Sequence, residues 1–447
     1  MTVMTRLPAL AVTLSLSFAI ALPLATTEAE AGITINERTS PGGIAFWHVE
    51  EPTIPMVAFE ARFDGGALLD SLDKPGVARM LGSMLDEGAG ERDALAFAAE
   101  AERLAARFGF SVGRDSFGVS ARMLLENAEP SAALIAEALT DPRFDADALE
   151  RERRGRLSSI RQSSTDPDSV ARDAWYARSF PDHPYGVPVA GTEQSVSAIT
   201  IADLEAMHAR LMPLDRAHVA VVGALDAEEA GRLVDQILGD LPESLAEDAG
   251  PAMPDAVDPP AGIDVVDLAV PQSVAILGHS GLQRDDPDYI PAFVMNHILG
   301  GGGFSSRLMT EVREKRGLAY GTYSYLADLT GAPLMLASVS TANERMSESL
   351  EVIQAEWARM AAGEVTEAEL EKAKRYLTGA FPLRFDTNAK IARFLVGAQS
   401  VGLPLDYVDI RNGLIEAVTL EDIRRVAARL MRPDALSITV VGQPAGL

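Results

Sequence analysis

Residues 199–223 read ITIADLEAMHARLMPLDRAHVAVVG, and residues 418–442 read VTLEDIRRVAARLMRPDALSITVVG. The two stretches align without gaps at an offset of 219, and 10 of their 25 positions are identical. Each predicts the same succession: a capped helix, a short connection, then a buried strand ending in Gly223 or Gly442. Thr200 and Thr419 are the expected N-caps, with Asp203 and Asp422 three residues on, a variant of the capping box. His218–Val222 and Ser437–Val441 carry the β-branched runs of interior strands. A single fold used twice explains both stretches most economically.

Between the repeats lies a seam. Residues 243–262, ESLAEDAGPAMPDAVDPPAG, are acidic, Pro-rich and without apolar periodicity, which predicts a flexible linker. The expected organisation is a first domain over 33–241, an acidic Pro-rich linker over 242–262 and a second domain over 263–447. Ile44–Glu50 and Met56–Phe63 suggest a hairpin joined near Pro52–Pro55. Phe108–Val112 and Ser116–Met123 suggest another around Gly113–Asp115. Residues 76–87, 94–107, 127–140 and 145–163 carry helical periodicity, and the apolar faces of 94–107 and 349–362 predict core packing. Strands and helices in clusters predict an α+β fold: two homologous domains, each a mostly antiparallel sheet with helices on one face.

The 447 residues are enough for two or three domains and a sizeable core. Residues 1–31 predict a signal peptide: Arg6, an apolar run from Leu7 to Ala25, then a small-x-small site at Ala29-Glu30-Ala31. An uncleaved anchor is the other reading of that run, and Pro23 with the cleavage pattern opposes it. The expectation is an exported, periplasmic protein with no stable membrane insertion. There is no cysteine, so redox conditions should not matter to the fold. The net charge of −26 disfavours nucleic acid and anionic membrane surfaces as partners.

Three further stretches carry chemistry. Residues 76–85 read GVARMLGSML, residues 182–192 contain Asp182-His183-Pro184-Tyr185-Gly186 and Val189-Ala190-Gly191-Thr192, and residues 299–326 read LGGGGFSSRLMTEVREKRGLAYGTYSYL. Together they resemble the pitrilysin/insulinase-type zinc metallopeptidases, of the mitochondrial-processing-peptidase-like kind, over nearly the whole chain beyond residue 31. The first resembles that family's inverted zinc helix, H-x-x-E-H, with Arg79 and Ser83 at the histidine places and Gly82 at the place of the glutamate base. The family's third ligand, a glutamate on a later helix, falls at Ser159. The resemblance therefore implies a zinc motif whose positions are all vacated. The second resembles the connection "HPYG…GT". The third resembles the C-domain signature, where the family holds substrate with an Arg and a Tyr seven residues apart; here these are Arg313 and Tyr320.

Each motif has a plainer reading. Without the signature around them, Arg313, Lys315 and Arg316 would merely complement a helix C-terminus and Tyr320 would be strand packing. With Ser305–Arg316 as a helix and Gly317 as its stop, Tyr320 opens the next strand. Gly300–Gly303 could cradle phosphate, but no Lys-Ser/Thr follows in P-loop register. By the resemblance, Gly301 and Gly302 instead let backbone approach an extended peptide or a partner subunit. Of the six histidines, no two lie three to five residues apart, so they read as surface or loop residues rather than a ligand pair.

The resemblance implies a non-catalytic subunit of a heterodimeric zinc metalloendopeptidase. In it Arg313 and Tyr320 would bind peptide and stabilise the transition state at a homologous partner's H-x-x-E-H site. No metal is expected in this chain; zinc would sit in the partner. The alternative is a peptide-binding or structural scaffold with no peptidase role. A serine hydrolase finds no support, since no G-x-S-x-G elbow occurs.

Overall fold

The computed structural model describes residues 33–245 and 258–447. The predicted signal peptide lies outside the described residues, as does most of the predicted linker. The strands of the first half are β1 (Asn36–Thr39), β2 (Ala45–Glu50), β3 (Met56–Asp64), the short ribbon of β4 (Gly88–Ala89) with β5 (Arg92–Asp93), β6 (Arg107–Val112), β7 (Ser116–Leu124) and β8 (Ala217–Gly223). Those of the second half are β9 (Gly262–Asp267), β10 (Gln272–Ser280), β11 (Ala319–Ala327), β12 (Leu334–Ala342) and β13 (Ser437–Gly442). The first sheet runs β1-β2-β8-β3-β7-β6 and the second β9-β13-β10-β12-β11. Leaving β1 aside, the two orders are the same. Each sheet is antiparallel except for one parallel pair, β2 with β8 and β9 with β13. The fold is thus α+β with two homologous halves, as the repeat implies.

Within each half the helices cover one sheet face. Phe59, Phe63, Val219 and Val221 close the first core against Met80, Leu81 and Met84 of the helix Val77–Met84 and Ile135 of the helix Ala128–Thr140. Leu277, Val339, Ile438 and Val440 close the second against Trp357 of the helix Met346–Ala361 and Val426 of the helix Leu420–Leu430. The opposite faces are covered by exchange. The helix Pro167–Ser179 of the first half lies on β10 and β13, and the helix Asn388–Ser400 of the second half lies on β3 and β8. Ala171 packs with Val274 and Val441, and Trp175, Tyr176 and Phe180 pack with Leu334 and Leu336. Residues on that face alternate with those in the second core, as the two-residue period of a strand requires. Each half therefore completes the other.

Several expectations hold at the residue level. Thr200 and Thr419 both cap their helices through reciprocal bonds with Asp203 and Asp422. Phe108–Val112 and Ser116–Met123 pair as a hairpin, β6 with β7. Others are corrected. β2 and β3 do not pair with each other: β8 lies between them, parallel to β2 and antiparallel to β3. The reason is that Val219–Val222 are buried on both faces and occupy the sheet centre. The five residues 51–55 step over that strand, about 10 Å at two strand spacings. The helix Ala94–Arg103 buries only Phe97, in a small satellite cluster, and is not a main core element.

Candidate functional site

The helix Val77–Met84 carries the vacated motif. Its N-terminus is fastened by Asp70, whose two carboxylate oxygens accept from Gly76 N at 2.7 Å and Ala78 N at 2.8 Å. Burial pushes the Asp70 carboxyl up to about 6, against the opposing pull of those bonds. Gly82 is buried against the first sheet, where an added Cβ would lie 3.1 Å from Val112 Cγ2. A side chain there would need the Val112 methyl to give way by a few tenths of an ångström. Ser83 turns its hydroxyl onto its own helix, donating to Met80 O at 3.0 Å, and accepts from Arg156 at 3.3 Å. Ser159 is exposed on the helix Ala146–Ser163 and donates to Gly155 O at 3.1 Å. Beside these positions lies a cleft of about 660 Å³ lined by Arg79, Arg156 and Ser159 among others.

This donor set does not fit zinc. A guanidinium has no lone pair to give and carries the wrong charge, and glycine has no donor. Among the described residues, no group of three or more His, Asp and Glu side chains stands where it could hold a metal. The histidines are placed otherwise than expected: His48, His183, His279 and His297 are buried. His48 meets Leu225 O at 3.0 Å, His183 accepts from Tyr185 N at 2.8 Å, and His279 accepts from Trp357 Nε1 at 3.1 Å. Burial drives the His279 imidazole down to about 4, so it is neutral at physiological pH.

The second half brings the glycine run, Arg313 and Tyr320 to one place. From His297 to Gly301 the chain winds in a wide π-type turn, and Gly300 comes so near β11 that a Cβ would lie 2.5 Å from Ser324 N. Only glycine fits there. Gly301 is exposed and Gly302 half-exposed at the end of that turn. The expected helix over 305–316 is not a regular α-helix: residues Met309–Glu314 form a second π-type segment. Gly317 stops it at φ 61°. Such wide turns alter which side chains emerge on one face. Arg313 emerges over the Phe304 ring at 4.6 Å. Tyr320, as predicted, opens the following strand and is 87 % exposed. β11 is the edge strand of its sheet, and Tyr323 and Tyr325 project from the same strand with their rings stacked 6.1 Å apart.

The vacated motif and the Arg–Tyr pair thus stand in different halves. Sequence reasoning missed the arginines around the vacated helix, Arg114, Arg156 and Arg172, which line the same cleft. They come from three separate elements, so no spacing could have joined them.

Comparison with known proteins shows the family. Residues 48–193 match the family model described as insulinase (peptidase family M16), and residues 198–377 match the one described as the peptidase M16 inactive domain. The solved peptidase M16 inactive domain from Pseudomonas fluorescens superposes with a TM-score of 0.85 at 31% identity, covering 92% of this chain and 98% of that one. An uncharacterized zinc protease of Mycobacterium leprae is 28% identical over 88% of each chain. The non-peptidase homolog YmxG of Helicobacter pylori is 25% identical over 84% of this chain and 86% of that protein.

Proposed function

Because the chain belongs to peptidase family M16, we propose that it is the non-catalytic subunit of a heterodimeric zinc endopeptidase of that family. The observation that carries this reading is the partition of the site. The metal positions hold Arg79, Gly82, Ser83 and Ser159, while Tyr320 remains on the open edge strand of the second sheet and Arg313 on the π-type segment beside it. A side chain 87 % exposed, as Tyr320 is, contributes nothing to packing in the isolated chain, which fits a role completed by a partner. The solved relative named as an M16 inactive domain and the curated relative named as a non-peptidase homolog also support it.

In the proposed complex a homologous H-x-x-E-H subunit supplies the zinc and the glutamate base. This chain supplies binding and electrostatics. Arg313 donates its planar, permanent hydrogen bonds to a peptide carbonyl. The Tyr320 hydroxyl donates to the oxyanion as it develops. Gly301 and Gly302 let the peptide backbone come close, and the substrate lies extended along the sheet edge. The pair works outside the cytoplasm, in the periplasm, as the N-terminal residues suggest. A scaffold that holds peptide or partners without any hydrolysis is the second reading, favoured by the same non-peptidase name.

The test is reconstitution. The chain and its H-x-x-E-H partner are purified separately and together, and metal content and peptide cleavage are measured. One zinc per heterodimer, with cleavage in the pair alone, is expected. Tyr320→Phe should lower kcat by about 10²-fold with the complex intact, the scale for one oxyanion donor. Unchanged kinetics in that variant would remove Tyr320 from the mechanism, and a stable but inactive pair would favour the scaffold.

A further inference from the structure

The cleft beside the vacated helix carries an excess of positive charge in a chain of net charge −26. Four arginines line it, Arg79, Arg114, Arg156 and Arg172, and two acids, Asp173 and Glu193. Both acids are engaged: Asp173 lies 3.9 Å from Arg172, and Glu193 accepts from Arg161 at 2.9 Å. The other three arginines form no ion pair among the described residues. Arg114 donates to the Tyr185 and Val187 carbonyls at 3.2 and 3.3 Å and lies over the Tyr176 ring at 3.8 Å. Arg156 donates to the Ser83 hydroxyl at 3.3 Å, while its Nε is buried with no partner at all. Burial lowers the pKa of Arg156, the charge of nearby Arg79 lowers it further, and Glu152 opposes both.

Holding like charges together in a partly buried cleft is unfavourable unless something compensates them. With no carboxylate paired to Arg79, Arg114 or Arg156 among the described residues, what the cleft lacks is an acceptor. The walls also include Ile160, Val170 and Val189, which suit the organic body of a ligand rather than a bare ion. A cleft of about 660 Å³ is within the range that holds a small ligand or a few residues of peptide.

We propose that this cleft binds a carboxylate of an extended peptide, so that the place where relatives hold a metal cation has become a subsite for an anion. Arg79 and Arg156 supply planar forks that match a carboxylate, and Arg114 adds a third cation. The inference rests on the reading of the chain as a peptide-handling subunit, yet it concerns binding by this chain without a partner.

The experiment is a calorimetric titration of the isolated chain, residues 32–447. Four probes are used: a short glutamate-rich peptide with an amidated C-terminus, a neutral peptide with a free C-terminus, the neutral amidated peptide, and inorganic phosphate. Binding of either carboxylate peptide, but not of the neutral amidated one, is expected, and which of the two binds identifies a side-chain or a terminal carboxylate. Arg79→Gln, at a half-exposed position that should not disturb folding, should weaken that binding about tenfold or more and reduce its salt dependence. Arg156→Gln should do the same, and circular dichroism checks that it is folded. Equal binding of the neutral amidated peptide, unchanged affinity in a folded Arg79→Gln chain, or binding of phosphate alone would overturn the proposal. Because no partner is present, these outcomes leave the heterodimer reading to its own test.

Discussion

The two exchanged helices occupy equivalent places, and they hold on by different chemistry. The helix Pro167–Ser179 reaches the second sheet, and Arg178 donates to Ile438 O at 3.0 Å. The helix Asn388–Ser400 reaches the first sheet, and Gln399 donates to Val219 O at 2.9 Å. Val219 and Ile438 are the same position of the repeat, 219 residues apart, and Arg178 and Gln399 are each the twelfth residue of their helix. Two halves with different sequences thus place a donor on the same carbonyl of the same strand. What differs is the neighbourhood. In the second sheet the parallel ladder of β9 on β13 starts at Ser437, and Arg178 also bonds Gly262 O at 3.0 Å and Ala261 O at 3.1 Å. In the first sheet the ladder of β2 on β8 starts only at Ala220. The lesson is that the halves are joined at the level of single hydrogen bonds, and that each donor is fitted to the sheet it meets.

That reciprocity can be broken at its strongest point. Trp175 is fully buried and donates from Nε1 to Ser437 O at 3.0 Å, one residue before the shared position. Trp175→Ala should cost about 3–5 kcal/mol by cavity and lost packing. If the halves are one unit, chemical unfolding of that variant stays a single transition with a lowered midpoint. Two separated transitions would show that each half is stable without the other's helix. Arg178→Ala removes three charge-assisted bonds to backbone carbonyls and should cost about 2–3 kcal/mol, read as a shift in the urea midpoint.

A third effect depends on pH. Glu60 of β3 sits under the helix Asn388–Ser400, with Arg393 of that helix 3.7 Å away. Burial pushes its carboxyl up to about 7, more than Arg393 and Arg122 pull it down. A folded-state pKa above the unfolded value near 4.5 means that the folded chain holds the proton more tightly. The contribution is fully present below about 4.5 and is lost as pH rises through about 7. Glu60→Gln should therefore gain about 2 kcal/mol relative to the parent between pH 5 and pH 8. Melting curves of both chains at the two pH values check it, and a difference independent of pH would refute the assignment.

The same contrast shows what a sequence can disclose. The repeat announced the two halves because its cue is local: a Thr–Asp cap and a β-branched run leave their marks within 25 residues. Arg313 and Tyr320 were legible because both lie on one continuous signature. The pairing of β2 with β8 was not, since a two-residue period identifies a strand without naming its neighbour. Nor were the exchanged helices, whose buried residues face a sheet encoded in the other half of the chain. The arginine cleft is hidden for the same reason, and the buried histidines read as surface residues because their partners are backbone groups and a distant Trp357.

The finest distinction lies at Gln399 itself. Val219 sits one residue outside the ladder of β2, so on that side both its N–H and its C=O lack a strand partner. Gln399 answers both, accepting from Val219 N at 3.3 Å while donating to Val219 O. An amide can do this because it carries a donor and an acceptor, whereas a guanidinium carries donors only. In the second sheet the longer ladder engages the strand there, and an arginine suffices. Gln399→Ala should thus cost about 1 kcal/mol, the worth of a neutral hydrogen-bonding group at a half-buried site. Gln399→Arg, copying the other half, should recover only part of that, because Val219 N–H stays unanswered. If arginine restores the full midpoint, the acceptor is idle and the two helices are interchangeable in their chemistry as well as in their place.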